Sequence, residues 1–397
     1  MSREANRHRM LRILHTADVH LGARHADLGE QASAQRERQF AAFRATVDLA
    51  LAEKVDVLLI AGDLFDSNTQ PRRSVDRVAA ELKRLVEGRI RTVVIPGTHD
   101  VHDRSSVYRA HDLAALAGST GDDDFVTVLT PDRVDVHLRS CDIVVHGRCF
   151  ATKRAPLSPL TGLDADKDDR ATWHVGLLHA SIAIPGRTDL DEVVVTTEEI
   201  AASHLDYLAL GHWHSAQQGK AGGVTYAYAG APEPVALDQD RAGKVLLVTL
   251  ERAGAGKRVG VEERTVGRTR FEKLEIDAAT VASQPALVDQ LTSRTDPDLV
   301  LDVRLVGIRP DDLDVDVDEV ERQLRGSFLK VRVRDVSTPA LTEGALPPPH
   351  TIAGAFIRGV EGRIAELEAA NQREQAAELR DVLRLGRLLL AGHEVSL

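Results

Sequence analysis

Residues 11–95 alternate between short apolar runs and longer stretches in which apolar residues recur every three or four positions. A short continuous apolar run is typical of a buried strand, and the longer period is typical of an amphipathic helix. The predicted strands span residues 11–14, 55–60 and 92–95, and the predicted helices span 40–53 and 75–86. This β-α-β-α-β order indicates a parallel sheet, and functional sites gather at the carboxyl ends of such strands.

Beyond residue 122 the apolar runs are short and are separated by turn residues. We expect strands at residues 126–129, 133–138, 143–150, 175–178, 205–210, 224–229 and 245–250. They predict a second, mostly antiparallel sheet packed on the first. The expected fold class is therefore α/β, a β-sandwich with helices on its outside.

We expect the first domain to span residues 1–270. Two further units are expected after it. A small α/β domain is predicted at 271–338, with alternating helix and strand signals and no metal-binding motif. Residues 339–351 contain three consecutive prolines and predict a stiff linker. Residues 352–397 predict helices with apolar stripes, which either pack back on the chain or bind a partner.

Composition narrows the class of protein. The chain has 397 residues, which is enough for two or three domains, and 28% of them are charged. A net charge of −11 argues against a simple basic nucleic-acid-binding domain, but bound divalent ions would add local positive charge. The polar, basic start at residues 1–12 does not resemble a secretory signal, so we expect a cytoplasmic protein without a membrane partner, in which Cys141 and Cys149 are reduced.

Five polar motifs each follow an apolar, strand-like run. They are Asp18-Val19-His20, Gly62-Asp63, Gly97-Thr98-His99-Asp100, His179 and Gly211-His212-Trp213-His214. In an extended segment residues two apart share a face, so each Asp-x-His or His-x-His pair can point at one ion. Each motif alone has little specificity, but all five in this order predict a metal centre.

The chemistry of these side chains restricts the metal. Carboxylates and imidazoles suit Mn²⁺, Fe²⁺ or Zn²⁺ better than Ca²⁺. A carboxylate at a strand end, such as Asp63, can bridge two cations. Two ions about 3.5–4 Å apart clamp a phosphate and generate a hydroxide nucleophile.

These residues, in this order, resemble the calcineurin-like metallophosphoesterase superfamily. Within it, the runs at residues 14–22, 62–66 and 228–234 are similar to the SbcD-type DNA repair exonucleases. The resemblance extends over about residues 11–250. It implies a four-layer metallophosphoesterase β-sandwich flanked by helices, and it places residues 271–336 where that family carries a capping domain.

The resemblance also implies roles for individual residues. It assigns Asp18, His20 and His214 to a first metal ion, Asp63 to a bridge, and His179 and His212 to a second ion. It places His99 near the phosphate as transition-state stabiliser or general acid, oriented by Asp100. The implied cofactor is a pair of divalent ions, for which Mn²⁺ is our expectation.

One position departs from the family pattern. The family has asparagine, a carbonyl ligand of the second metal, where this chain has Thr98. A threonine hydroxyl is shorter and a poorer donor, so the second metal site, with Thr98 in this place, is expected to be weaker, differently coordinated or completed by water. Asn68 is an alternative ligand, although a role in a turn is the simpler hypothesis for it.

Three functional hypotheses follow. The first is a DNA exonuclease/endonuclease subunit of an SbcCD-like complex, with DNA as substrate, a homodimeric state, and an SMC-type ATPase bound through the C-terminal helices. The second is a phosphoesterase for small substrates such as nucleotides or phosphoproteins, which the acidic charge and the aromatic content of 4% favour. The third, motivated by Thr98, is a non-catalytic DNA-end scaffold.

Overall fold

The chain divides into two compact units, Met1–Thr269 and Arg270–Leu397. The computed structural model describes residues 10–119, 125–188, 190–236, 239, 241–254, 256–310, 312–339 and 347–390. The central part of the predicted linker, residues 340–346, the end of the predicted helical tail, residues 391–397, and the chain start at residues 1–9 lie outside the described residues.

The first unit contains two six-stranded sheets. Its strands are β1 (Leu11–Thr16), β2 (Val57–Ala61), β3 (Arg91–Ile95), β4 (Val126–Val128), β5 (Asp135–Leu138), β6 (Ile143–His146), β7 (Trp173–His179), β8 (Ser181–Ile182), β9 (Val194–Val195), β10 (Tyr207–Gly211), β11 (Gln217–Ala221), β12 (Val224–Tyr228), β13 (Lys244–Ala253) and β14 (Gly256–Thr265). Sheet I has the order β14-β13-β1-β2-β3-β4, and sheet II has the order β11-β12-β10-β7-β6-β5. The two-residue strands β8 and β9 pair with each other.

Helices cover the outside of this sandwich. They are α1 (Ala32–Glu53), α2 (Arg72–Glu87), α3 (Val107–Ala110), α4 (Leu113–Leu116) and α5 (Thr197–Ala202). One core, which includes Ile13, Leu59 and Val175, lies between the sheets. A second core packs Phe43 of α1 and Leu82 of α2 against the other face of sheet I. The predicted layered α/β fold is confirmed, and the predicted strands β1, β2 and β3 are parallel within sheet I.

The prediction that the second sheet is mostly antiparallel is wrong. Its four central strands, β12, β10, β7 and β6, are parallel, and only the edge strands β11 and β5 are antiparallel. All residues of β7 and β10 are buried, as is usual for parallel strands covered on both faces. Residues 147–172 and 180–206 are long enough to make the crossovers that parallel strands require.

Strand β13 also belongs to a different sheet from the one expected. It pairs antiparallel with β1 in sheet I, with Leu250 opposite Leu11, and β14 extends that edge as its hairpin partner. Apolar content identified the strand, but the alternation of residues carries no information on which sheet edge is free. The two cysteines, Cys141 and Cys149, are buried and form no disulfide, as expected for reduced thiols.

The second unit contains a small sheet and a helical hairpin. Its elements are β15 (Arg270–Asp277), α6 (Gln284–Thr292), β16 (Asp296–Val306), β17 (Ile308–Arg309), α7 (Val317–Gln323), β18 (Phe328–Asp335), β19 (Thr338–Pro339), α8 (Ile352–Ala369) and α9 (Arg373–Leu390). Strands β15, β16 and β18 form a parallel sheet whose core includes Leu287 of α6 and Val320 of α7. Helices α8 and α9 enclose a small core of their own around Ile364, Leu367 and Ala376. Across the described residues, every helix falls short of the length and apolarity that a membrane crossing demands.

Candidate metal centre

The predicted metal-binding residues lie where the ends of β1, β2, β3, β7 and β10 meet. These strands are neighbours within their sheets, and the sheets pack face to face. Gly211, at the end of β10, lies so close to sheet I that a Cβ atom there would stand 1.9 Å from the carbonyl oxygen of Ala61. A glycine at this position therefore lets the β10 motif approach the β1 and β2 motifs.

The backbone of the motifs is not extended, contrary to the geometry expected for Asp18 and His20. Asp18, His20 and Asp63 have φ values of 52°, 50° and 50°, and His212 has 101°. Such left-handed conformations are uncommon for residues other than glycine and cluster at functional sites. Asp18 and His20 still serve the same centre, because both turn their side chains into it from a tight loop.

Three side chains form the first donor group, Asp18, His20 and His214, whose ligand atoms lie within 4.8 Å of one another. Nε2 of His20 and Nε2 of His214 are 3.2 Å apart. Nδ1 of His20 donates to Asp66 at 3.2 Å, so its Nε2 faces the centre. The side-chain amide nitrogen of Gln239 lies 2.6 Å from Nδ1 of His214 and fixes that ring.

A second donor group consists of Asp18, Asp63 and His179. Oδ2 of Asp63 lies 3.2 Å from Nε2 of His179 and 3.7 Å from Nε2 of His20. Asp18 belongs to both groups, and Asp63 of the second group also lies beside His20 of the first, a position from which it could bridge two ions. Its other oxygen, Oδ1, accepts the backbone N–H of His99 at 2.8 Å.

The side chain of His179 provides a test of whether these residues suit a metal ion. Its Nδ1 donates to the carbonyl of Ala61 at 3.0 Å, while its buried Nε2 makes no well-directed hydrogen bond among the described residues and faces the Asp63 carboxylate, 3.2 Å away. A buried polar nitrogen without a well-directed partner is costly unless it binds a ligand. A metal-binding histidine has this arrangement, in which one ring nitrogen is fixed by a carbonyl and the other is directed at the ion.

Electrostatics in the centre couple its acids and imidazoles. Burial alone would raise the pKa of Asp63, but the facing imidazoles of His179 and His20 hold that pKa well below its usual range. Burial alone would lower the pKa of His179, but Asp63 and Asp18 raise it to about 10. The centre thus strongly attracts positive charge between its carboxylates, which a divalent cation would supply.

His99 and Asp100 occupy very different surroundings. The His99 side chain is 48% exposed, and its Nδ1 donates to the backbone carbonyl of Asp66 at 3.0 Å. Its ring lies edge-on to His20, with centroids 4.7 Å apart. His99 therefore stands at the solvent side of the metal centre.

Asp100 does not orient His99, contrary to our expectation. Its Oδ1 accepts the N–H of Gly97 at 2.7 Å, and its Oδ2 accepts the N–H of Phe65 at 3.1 Å and the hydroxyl of Tyr108 at 2.5 Å. These bonds tie the loop after β3 to the loop after β2. The sequence placed Asp100 next to His99, but adjacent residues in a tight loop point in different directions.

The remaining predicted ligands lie at the edge of the centre. The backbone N–H of His212 donates to Asp18, and the His212 ring lies 5.2 Å from that of His179. Thr98 is buried and lines, with His179, a small cavity of about 20 Å³. Asn68 is not an alternative ligand, because its amide donates to the carbonyl of Val101 and accepts the N–H of Val107.

Sequence reasoning missed two carboxylates near the centre. Asp66 contacts both His20 and His99, and Asp191 lies 3.9 Å from Nε2 of His212. Asp66 ends the Gly-Asp-Leu-Phe-Asp run. Its position three residues after Asp63 could have indicated that it lies near the centre. Asp191 lies in a loop after β8 with no motif around it, and no residue pattern indicated its position.

We expect Asp66→Asn to weaken metal binding about 10- to 100-fold, the usual effect of losing a partner that orients a metal-binding histidine. The substitution removes the charge that holds Nδ1–H of His20. Mn²⁺ affinity measured by calorimetry checks this, with Asp76→Asn on α2 as the control, because Asp76 is an exposed carboxylate that pairs with exposed Arg72. An unchanged affinity would show that Asp66 does not orient His20.

Comparison with known proteins identifies the family of this chain. Residues 11–216 match the family model described as calcineurin-like phosphoesterase, and the chain belongs to that family. The resemblance inferred from the motifs is thereby confirmed, and the family's use of divalent metal ions agrees with the two donor groups.

Individual relatives give more detail. The chain is 28% identical over 276 residues to the DNA double-strand break repair protein Mre11 of Aeropyrum pernix, covering 68% of this chain and 64% of that protein. It is 26% identical over 370 residues to the protein of the same name from Methanopyrus kandleri, covering 88% and 76%. It is also 27% identical over 227 residues to the uncharacterized metallophosphoesterase YhaO of Bacillus subtilis, covering 52% and 49%. The chain thus spans just under two thirds of the Aeropyrum relative.

Proposed function

We propose that this protein is a metal-dependent DNA nuclease, the phosphodiesterase subunit of an SbcCD-like double-strand-break repair complex in the cytoplasm. The observation that carries the proposal is the pair of donor groups joined by Asp63. The printed names of the Aeropyrum and Methanopyrus relatives support DNA as the substrate.

The described residues suit two divalent ions, for which Mn²⁺ is the proposed identity. Asp18, His20 and His214 would hold one ion, Asp63 would bridge, and His179 and His212, with Thr98 beside them, would hold the other. When bound, such ions polarise a phosphate and activate water for attack.

Groups of the protein itself orient Asp63 and His99, and His99 would supply a proton to the leaving oxygen. The backbone N–H of His99 holds Asp63, and the Asp66 carbonyl fixes Nδ1 of His99 as a donor. The Nε2 atom of His99 is therefore the one left to meet the substrate at the exposed side of the centre. In its protonated form, Nε2–H would donate to the leaving oxygen of the scissile phosphodiester, as a general acid.

His99→Ala is expected to lower cleavage about 10²-fold, the lower end for loss of a general acid, while metal binding stays intact. The measurement is Mn²⁺-dependent cleavage of end-labelled single- and double-stranded DNA by the purified full chain. His111→Ala is the matched control, since His111 is a partly exposed histidine outside the centre.

The possible outcomes separate the hypotheses. Cleavage that persists at full rate in His99→Ala would remove His99 from the mechanism. Hydrolysis of nucleotides or phosphopeptides without DNA cleavage would favour the small-substrate phosphoesterase, which the net charge of −11 keeps in consideration. If the protein binds metal but hydrolyses nothing, the Thr98→Asn variant decides between two explanations. Hydrolysis restored by Thr98→Asn would identify a weakened second metal site. Hydrolysis that stays absent would favour the non-catalytic scaffold.

The helical hairpin is the proposed docking site for an SMC-type ATPase. Its ends carry exposed apolar side chains, with Ile352 81% and Leu389 60% exposed, while its own core is small. Such a hairpin could pack against the base of a coiled coil, where an apolar helix face meets another helix. The homodimer is likewise a proposal, which the molar mass from light scattering would test.

Leu389→Asp is expected to abolish co-elution with a co-expressed ATPase partner, because it buries a charge in the proposed contact. Gln375→Asp on the exposed face of the same helix is the control. Co-elution that survives Leu389→Asp but is lost when residues 352–397 are removed would place the contact on another part of the hairpin.

A further inference from the structure

A separate group of potential ligands lies on the face of sheet II that points away from sheet I. His146 ends β6 and His174 lies near the start of β7, the neighbouring parallel strand. Val144 is the register partner of His174, and Gly176 is the partner of His146, so the two histidines are diagonal neighbours on one face. Asp168, in the loop before β7, completes the group.

This group is distinct from the phosphoesterase centre. His174 and His179 belong to the same strand but are an odd number of residues apart, so their side chains point to opposite faces of the sheet. Their positions along the strand differ by roughly 16 Å at about 3.3 Å per residue. An ion bound at one group would therefore not share ligands with the other.

The spacing of the ligand atoms suits a tetrahedral ion. Nε2 of His146 lies 3.0 Å from Nδ1 of His174, and Oδ2 of Asp168 lies 3.8 Å from the first and 4.0 Å from the second. Ligand atoms about 2.0–2.1 Å from a tetrahedral zinc ion stand about 3.3 Å from each other. The three measured distances lie on either side of that value.

The neighbouring groups orient these atoms. His174 donates its Nε2–H to the carbonyl of Ala171 at 3.1 Å, so its Nδ1 carries the lone pair that faces His146. Both rings are buried. Arg170 donates to Oδ2 of Asp168 from Nε at 3.0 Å and from Nη2 at 2.7 Å, and so holds that carboxylate in place, the kind of support that ligating carboxylates receive.

A cleft opens beside two of the three residues, His146 and Asp168. It has a volume of about 260 Å³, and its lining includes His146, Asp168 and Arg148. A fourth ligand, either water or a small anion, could enter from this side. Sites with three protein ligands and one open position are those in which zinc binds exchangeable groups.

We infer that His146, His174 and Asp168 form a third metal site that binds Zn²⁺, with its open position facing this cleft. The group Asp164, Asp166 and His204 differs, because two of its members are exposed and only one imidazole is present. Two buried imidazoles and one carboxylate from three successive parts of the fold favour zinc over Mg²⁺ or Ca²⁺.

The test is zinc stoichiometry in the full chain. Protein freed of metal by chelation is dialysed against Zn²⁺, and bound zinc is measured by mass spectrometry for the wild type, His146→Gln, His174→Gln and His111→Gln. We expect the first two variants to bind one zinc ion fewer than the wild type, and His111→Gln to equal it. Co²⁺ in place of Zn²⁺ should give the intense visible absorption of a tetrahedral site, weakened in the same two variants.

A second readout keeps this result separate from the proposed nuclease. Mn²⁺-dependent hydrolysis of bis(p-nitrophenyl) phosphate should be unchanged in His146→Gln and His174→Gln, because both positions lie away from the phosphoesterase centre. Equal zinc content in all four folded proteins would overturn the third site, and the histidine pair would then be an ordinary buried hydrogen bond. If the glutamine variants fail to fold, the same comparison with Asp168→Asn in the loop decides the question.

Discussion

Asp63→Asn is expected to lower phosphodiester hydrolysis by about 10³-fold or more. Asp63 is the carboxylate between the two donor groups, 3.2 Å from His179 and 3.7 Å from His20. The neutral amide removes the charge that a bridging ligand provides, and Lewis-acid assistance by metal ions is worth several kcal/mol, about tenfold in rate for each 1.4 kcal/mol. The measurement is kcat with Mn²⁺ on DNA and on bis(p-nitrophenyl) phosphate, together with the number of Mn²⁺ ions bound.

The control for this substitution is again Asp76→Asn, which removes an exposed carboxylate from α2 and should leave both readouts unchanged. Full activity in Asp63→Asn would contradict the bridging role. Loss of activity with both ions still bound at wild-type affinity would mean that Asp63 acts on the substrate rather than on the metals.

Asp100→Ala is expected to lower the free energy of unfolding by about 3–5 kcal/mol, because it leaves two buried donors and one partly buried donor without an acceptor. These donors are the N–H groups of Gly97 and Phe65 and the hydroxyl of Tyr108. Burial, and next the charge of Asp63, raise the pKa of Asp100, so its carboxylate depends on these bonds to remain in the interior. Urea unfolding followed by circular dichroism measures the change.

Tyr108→Phe is the matched comparison for Asp100→Ala. It removes one of the three donors and keeps the carboxylate bonded to both backbone groups, so a loss of about 1 kcal/mol is expected. If the two variants are equally stable, the backbone hydrogen bonds of Asp100 contribute little to stability. The inference that Asp100 ties the two loops together would then be wrong.

The sequence predicted the parallel strands β1, β2 and β3 well because each is a continuous apolar run next to a helix of clear period. It failed on the pairing in sheet II, since β7 and β10 have the same apolar character in a parallel or an antiparallel arrangement. It missed β15, where charged residues outnumber apolar ones. Pairing depends on register and crossover length, which local residue patterns do not record.

The metal centre shows the same division between local and long-range information. The types of ligand were evident from the five motifs, and Asp18, His20, Asp63, His179 and His214 do converge. The left-handed backbone at Asp18 and Asp63, and the partnership of His99 with Asp66 in place of Asp100, were not evident. These depend on the exact path of tight loops, which is fixed by hydrogen bonds between segments far apart in the chain.

The proposed ligands of the centre are spread from residue 18 to residue 214, at the ends of strands of both sheets. No shorter segment of the chain brings them together, so a high-affinity centre can form only after the two sheets have docked, late in folding. Ions that bind only the native state stabilise it by mass action, by about 2.7 kcal/mol at a hundredfold excess over Kd. The supply of metal in the cell would then set not only the rate of catalysis but also how long each newly made molecule survives proteolysis.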